Sequence, residues 1–258
     1  MKFNSWMIGG LTDIETEYSL FSHIMELVIP RLETDENLIV VNVDKWIEDL
    51  NEYMAYGFDR LKKENGVNLT IIFEINKDCE CGSLSRELHS FRYITGDNKI
   101  KISLNPDFIY IAKSFSLFQT TFNDLMTYIS HELVHHKQYE ILEELFGRFE
   151  AIYIFKGSEH PNAEVNFIKY LSCDFEIVAF ARQTMQEIIM NLSNWGDLED
   201  AEGRSERLIK RIKNKDKRYI KESNTYNMFL NHFWFKDSHP VFNKYIKYVG
   251  DYFAKYEN

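Results

Sequence analysis

The apolar residues of this chain change their spacing near Pro106, and that change restricts the folds open to it. Before Pro106 lie short runs rich in branched and aromatic side chains, bounded by polar turn residues: Leu38 to Val43, Leu69 to Ile75, Ser90 to Thr95 and Lys99 to Leu104. Such runs predict strands. The last two flank Gly96-Asp97-Asn98, a turn-forming tripeptide, which predicts an antiparallel hairpin with Ile100, Ile102 and Leu104 on one face. Between the first two, Asp44 to Lys63 carries Trp46, Ile47, Leu50, Tyr53, Met54, Phe58 and Leu61 at helical spacing after an Asp cap. Beyond Pro106 longer helical periods take over, through Phe115 to Tyr139, Cys173 to Leu192, Ala201 to Ile212 and Pro240 to Tyr256. The clearest loop is Gly157 to Asn162.

This order predicts an α+β fold in one domain spanning residues 1–258. An α/β lobe (1–115), with a small mixed or antiparallel sheet and a helix, precedes a mainly helical lobe (116–258), with a cleft where they meet. An apolar share of 45% is ample for such a core. The 30 basic and 40 acidic residues leave a formal charge of -10, which disfavours nucleic acid and anionic membrane as partners. The one basic stretch, Lys210 to Lys221, is interrupted by Asp216 and reads as a solvated face. No apolar run approaches the ~18 residues of a spanning helix, and Met1 to Leu11 lacks the features of an export signal. Three cysteines, an odd count, point to a reducing compartment, with the cytoplasm as the default. Cys79-Glu80-Cys81 has no second cysteine pair to complete a thiolate site and reads as loop.

The chemistry concentrates at His131-Glu132-Leu133-Val134-His135. Residues four apart share a helix face, so both imidazoles can reach one cation while Glu132 stands beside a water on it. That is the donor set of a hydrolytic zinc site, with the glutamate as proton carrier. Phe122, Leu125, Met126, Ile129 and Leu133 form an apolar stripe, and the histidines fall opposite it with Asp124, Thr127 and Gln138, facing a cleft. Thr121 and Asp124 offer a capping-box-like start. The competing reading is two histidines on an ordinary wet helix face.

Catalytic zinc takes three protein ligands and keeps a fourth position open. Glu143 and Glu144 would lie roughly 12 Å along the axis if the helix continued. Gln138 occupies the position of the glycine that a metzincin pattern requires, which disfavours a third histidine. The better candidate is Glu176, near the first turn of a segment with a Ser172 cap and a small Ala179 that permits close helix approach. A salt-bridged or exposed surface glutamate is the plainer alternative. Around this core, His136 reads as a packed or ligand-supporting residue. Asp174 reads as a helix-start carboxylate or a partner of a ligand ring. His232, His239 and Tyr226 are the available oxyanion-stabilising types.

The blocks HELVHHKQ (131–138) and YLSCDFEIVAFA (170–181) resemble the zincin metallopeptidases with a glutamate third ligand, in particular uncharacterised metallopeptidase-like proteins of tailed bacteriophages. The likeness is confined to these two blocks. It implies Zn2+ held by His131, His135 and Glu176, with Glu132 as general base. Cys173-Asp174 departs from the family's pattern and leaves the start of the second helix open. The family's fold further implies an edge strand beside the zinc helix to which a peptide adds; Lys99 to Leu104 is the candidate, with an internal strand an equal alternative. The activity implied is zinc-dependent hydrolysis of a peptide or protein substrate in the cytoplasm, the host's if the chain is phage-encoded. The alternative is a non-catalytic, zinc-stabilised structural or binding protein, for which the aromatic-rich stretch from Asn231 to Tyr256 offers some support.

Overall fold

The computed structural model describes residues 47–48, 51–52, 55–56, 59, 63, 69–76, 89–94, 97–104, 115–158, 167–193, 223–233 and 239–256. Among these the fold is mixed and mostly helical, with one small sheet. The strands expected at Leu38 to Val43, the helix at Ala201 to Ile212, the basic stretch Lys210 to Lys221 and the Cys79/Cys81 pair lie outside the described residues. No described helix is long and apolar enough to cross a membrane. The chain divides into two compact units, Thr12–Leu125 and Met126–Asn258.

In the first unit, residues 47–48, 51–52, 55–56, 59 and 63 are helical, as the period from Asp44 to Lys63 predicts. Three strands follow, β1 (Thr70–Ile75), β2 (His89–Ile94) and β3 (Lys99–Leu104), in the order β1-β3-β2. β2 and β3 form the expected antiparallel hairpin, whereas β1 runs parallel to β3. The turn contains Asn98 at φ 51, a left-handed conformation that Asn tolerates better than most residues, and Tyr93 Oη donates to its side-chain oxygen at 3.2 Å. Strand alternation places Ile71, Phe73, Ile100, Ile102, Leu104 and Tyr93 in the core. On the other face Glu74 accepts from Ser103 Oγ at 2.6 Å and pairs with Lys101 at 2.8 Å.

The pairing decides between the edge and internal readings of Lys99–Leu104 in favour of the internal one. Lys99–Leu104 is the central strand, so its backbone groups are taken up on both sides and it offers no edge to a peptide. The sheet edges among the described residues are β1 and β2, and Asn51 closes β1 at Phe73: its amide donates to the Phe73 carbonyl at 2.7 Å and its side-chain oxygen accepts from the Phe73 N–H at 2.8 Å.

Among the described residues, the helices after the sheet are α1 (Phe115–Phe146), α2 (Arg148–Ser158), α3 (Phe167–Leu171), α4 (Asp174–Ser193), α5 (Asn224–His232) and α6 (Pro240–Tyr256). α1 starts at Phe115, so Thr121 lies inside the helix and does not cap it. Gly147, at φ 78, ends α1 in the left-handed conformation that glycine adopts without strain, and α2 follows at once. Gly157 and Ser158 close α2 and so belong to a helix, not to the expected loop.

Within Met126–Asn258, α4 is buried almost all round: from Phe175 to Gln186 every side chain is in the interior, polar and apolar alike. α6 and α5 pack against it. Tyr245 of α6 stacks on Phe229 of α5 with ring centroids 4.1 Å apart, and its hydroxyl hydrogen-bonds Thr184 of α4. Glu187 of α4 accepts hydrogen bonds from Ser223 Oγ, Thr225 Oγ1 and the Thr225 N–H, which satisfies the start of α5. Phe233, Phe242, Tyr245, Tyr248 and Tyr252 are buried, so these aromatics of the carboxy-terminal stretch serve the core and not a surface.

Candidate metal centre

His131 and His135 lie one turn apart on α1, and Glu176 lies in the first turn of α4. Because α1 runs unbroken to Phe146, Glu143 and Glu144 are carried up the axis as the helix rise requires. The third donor therefore comes from the separate segment anticipated for it. His131 Nε2 lies 3.0 Å from His135 Nε2 and 3.3 Å from Glu176 Oε2, and His135 Nε2 lies 3.5 Å from Glu176 Oε1. A tetrahedral ion with bonds of about 2.0–2.2 Å separates its ligand atoms by about 3.3–3.6 Å. Two nitrogens and a carboxylate at nearly that mutual distance can hold a metal ion.

The chemistry of the donor set agrees. Glu176 Oε2 is buried and, among the described residues, makes no hydrogen bond of good geometry although it lies close to His131. Such an atom is unfavourable unless a cation or proton answers it. Burial disfavours charge on both groups, yet each stabilises the other. Burial lowers the pKa of His135, but Glu176 and, less strongly, Glu132 outweigh it and raise the pKa to about 9. Burial raises the pKa of Glu176, but His135 and His131 overcome it and hold the carboxyl well below the usual carboxylate range.

The expected exposure of this face is not found. His131, His135 and Glu176 are 4%, 7% and 5% exposed, and Thr127 and Gln138 are buried as well. The outward-facing reading equated polar with wet, whereas from Ile129 to His136 every side chain of α1 is buried. The surroundings are aromatic: the ring of Phe180 lies 4.5 Å from that of His131, and Phe155 of α2 lies 5.8 Å from His135. Glu132 is buried too, and its charge acts on both His135 and Tyr170.

α4 begins at Asp174, not at a Ser172 cap. Ser172 Oγ instead donates to the Ile168 carbonyl at 2.7 Å, and the first bond of α4 runs from the Ile177 N–H to the Cys173 carbonyl. Asp174 lies in the first turn of α4, where a carboxylate suits the helix dipole, and pairs with Lys244 of α6. His136 is buried, with Nε2 3.4 Å from Glu140 Oε1, as the packed reading anticipates.

The three proposed oxyanion partners have other neighbours. His232 Nδ1 lies 2.9 Å from the Met228 carbonyl, His239 Nδ1 accepts from the Val241 N–H, and Tyr226 packs on Phe242. A phenol also feels the site: Tyr170 of α3 interacts with the charges of Glu176 and Glu132. Burial first, then the charges of Glu176 and Glu132, push its pKa far above the ordinary value, so it remains a donor. Sequence reasoning missed this role, although Tyr170 sits six residues before Glu176 in the same block. The turn at Ser172 and Cys173 between α3 and α4 is the signal that it follows a different helix axis from Glu176. No known family, curated protein or solved structure matches the chain.

Proposed function

We propose that the chain is a zinc-dependent metallopeptidase of zincin-like fold, with His131, His135 and Glu176 holding the ion and Glu132 as general base. The observation that carries this reading is the convergence of two imidazole nitrogens and one carboxylate from separate helices at 3.0–3.5 Å, with Glu132 next to His131 in the chain. Zinc, when bound, supplies an acidified water and polarises the substrate carbonyl. Glu132 takes the proton from the attacking water and returns it to the nitrogen of the leaving amine. Tyr170, whose pKa is pushed up by burial and then by the charges of Glu176 and Glu132, keeps its proton. Phe155 and Phe180 exclude water from the imidazole flanks.

Metal analysis of purified protein tests the reading: one zinc per chain is expected, lost in Glu176→Ala and in His135→Ala. Cleavage of a diverse peptide library by wild type, abolished in Glu132→Gln, tests the activity. A wild-type protein that takes up no zinc overturns both.

A second reading, zinc as a structural staple, draws support from the burial of all three donors, since structural sites are closed. Under that reading Glu132→Gln changes nothing measurable, and no peptide is cut.

A further inference from the structure

The two imidazoles are held in different ways. His131 Nδ1 is buried and finds no hydrogen-bond partner among the described residues, so packing against Phe180 places that ring. His135 Nδ1 lies 2.9 Å from Gln138 Oε1. Gln138 is 1% exposed, and its amide nitrogen donates to the backbone carbonyl of Phe175 at 3.1 Å. Phe175 immediately precedes Glu176. One side chain therefore joins the helix that carries the two histidines to the turn that carries the carboxylate.

Hydrogen-bond bookkeeping fixes the direction of this chain of contacts. A backbone carbonyl only accepts, so the amide nitrogen of Gln138 faces Phe175 and its oxygen faces His135. An amide oxygen also only accepts, so His135 Nδ1 carries the hydrogen. In a neutral imidazole the bare nitrogen is then Nε2, the atom that lies 3.0 Å from His131 Nε2 and 3.5 Å from Glu176 Oε1. The geometry points to Gln138 as the positioning residue of the metal centre: anchored on the Phe175 carbonyl, it fixes the tautomer and ring plane of His135 so that Nε2 is offered to the ion. This rests on the metal-binding reading and extends it to a residue that touches neither ion nor substrate. A neutral amide fills a role that ligand histidines commonly give to a carboxylate or a backbone carbonyl.

A glutamine that merely satisfied itself in the interior would leave the ligand ring indifferent to its replacement. The test loads wild type, Gln138→Leu and Gln138→Glu with zinc alone, measures affinity by chelator competition, and follows ring N–H signals by proton and nitrogen NMR. Wild type is expected to show an exchange-protected Nδ1–H on His135. Gln138→Leu is expected to lose that signal and to bind zinc about 10- to 100-fold more weakly. Gln138→Glu keeps an acceptor of the same length for His135 Nδ1–H but gives up the donor to the Phe175 carbonyl, so it is expected to retain the signal and to bind zinc with an affinity between those of wild type and Gln138→Leu. This conservative variant keeps the proposal testable whether or not the leucine variant folds. Undiminished affinity with an unchanged Nδ1–H signal in Gln138→Leu, or a fall in Gln138→Glu as large as in Gln138→Leu, overturns the role of Gln138 while leaving the metal centre standing. A wild type that binds no zinc overturns both.

Discussion

The sheet and the α1–α4 pair bury side chains by opposite rules. In the sheet, burial follows polarity: Ile100, Ile102 and Leu104 point inward, while Lys99, Lys101 and Ser103 remain partly exposed. Along α1 and α4, Ser130, His131, Glu132, His135, Gln138, Glu176 and Arg182 are as buried as their apolar neighbours. A buried polar group is unfavourable by roughly 1–3 kcal/mol when left unsatisfied, and more if charged. Three of these buried polar groups, His131, His135 and Glu176, converge closely enough to hold a metal ion. The sheet, by contrast, is built to be stable.

The largest effect that can break this contrast is on activity. Under the proposed mechanism Glu132→Gln removes the proton carrier but keeps shape and volume, so it should lower peptide cleavage by about 10²- to 10⁴-fold. Zinc content and melting temperature should stay near wild type. The sheet offers the converse: Ile102→Ala should destabilise by ~2–5 kcal/mol and leave the turnover of the remaining folded protein unaltered. Kinetics and thermal melts on the two variants decide. Equal effects of both on turnover, corrected for folded fraction, would mean that the contrast between the regions is false.

Removing the metal should act next in size. An ion present at 1,000 times its dissociation constant stabilises the native state by ~4 kcal/mol, and chelation withdraws this. Amide hydrogen exchange should then rise in 129–136 and 175–186, which surround the donors, more than in β1 and β3. Uniform loss of protection across sheet and helices, or none at all, would contradict a centre seated between α1 and α4.

The metal-free protein should also carry a pH signature from the same groups. The folded-state pKa of His135 lies at about 9, raised from an ordinary 6.5 because Glu176 outweighs burial. A group bound more tightly to its proton in the folded state stabilises fully below its unfolded pKa and loses that contribution as pH rises through the folded one. Stability in the presence of a chelator should therefore decline between pH 6.5 and about 9, by at most ~1.4 kcal/mol per pH unit from this residue. His135→Ala should remove the His135 share of the slope. Denaturant titrations across that window check it, and a flat wild-type profile refutes the pairing of His135 with Glu176.

The same contrast explains what could be read from the sequence. Alternation at Ile100, Ile102 and Leu104 is legible because one face of a strand meets the core and the other does not. The hairpin is legible because its turn residues are local. That β3 is central is not, since alternation says which face is buried and nothing about which neighbours pair with it. His131, His135 and Glu176 were legible from donor chemistry and helical spacing. Their burial was not, because a polar residue on a helix reads as wet unless its partners are known, and those partners come from distant segments. Gln138 pairs with a backbone carbonyl 37 residues away, and a carbonyl leaves no mark in the sequence.

The smallest effects sharpen the contrast by comparing like with like: one carboxylate in each region. Glu187 accepts three hydrogen bonds at the start of α5, from Ser223, Thr225 and the Thr225 N–H. Glu74 pairs with Lys101 across the sheet's outer face, where the side chains of Lys101 and Glu74 are 41% and 38% exposed. Water screens the second pair and replaces it readily, so Glu74→Gln should change stability by less than ~1 kcal/mol. At Glu187 the lost acceptor leaves a helix start short of partners, and Glu187→Gln should destabilise by ~1–2 kcal/mol. Urea unfolding of the two variants gives both numbers, and the order matters more than the sizes. If Glu74→Gln proved the more damaging, polar groups would count for as much on the sheet as in the helices, and the division of labour between the two regions would have to be abandoned.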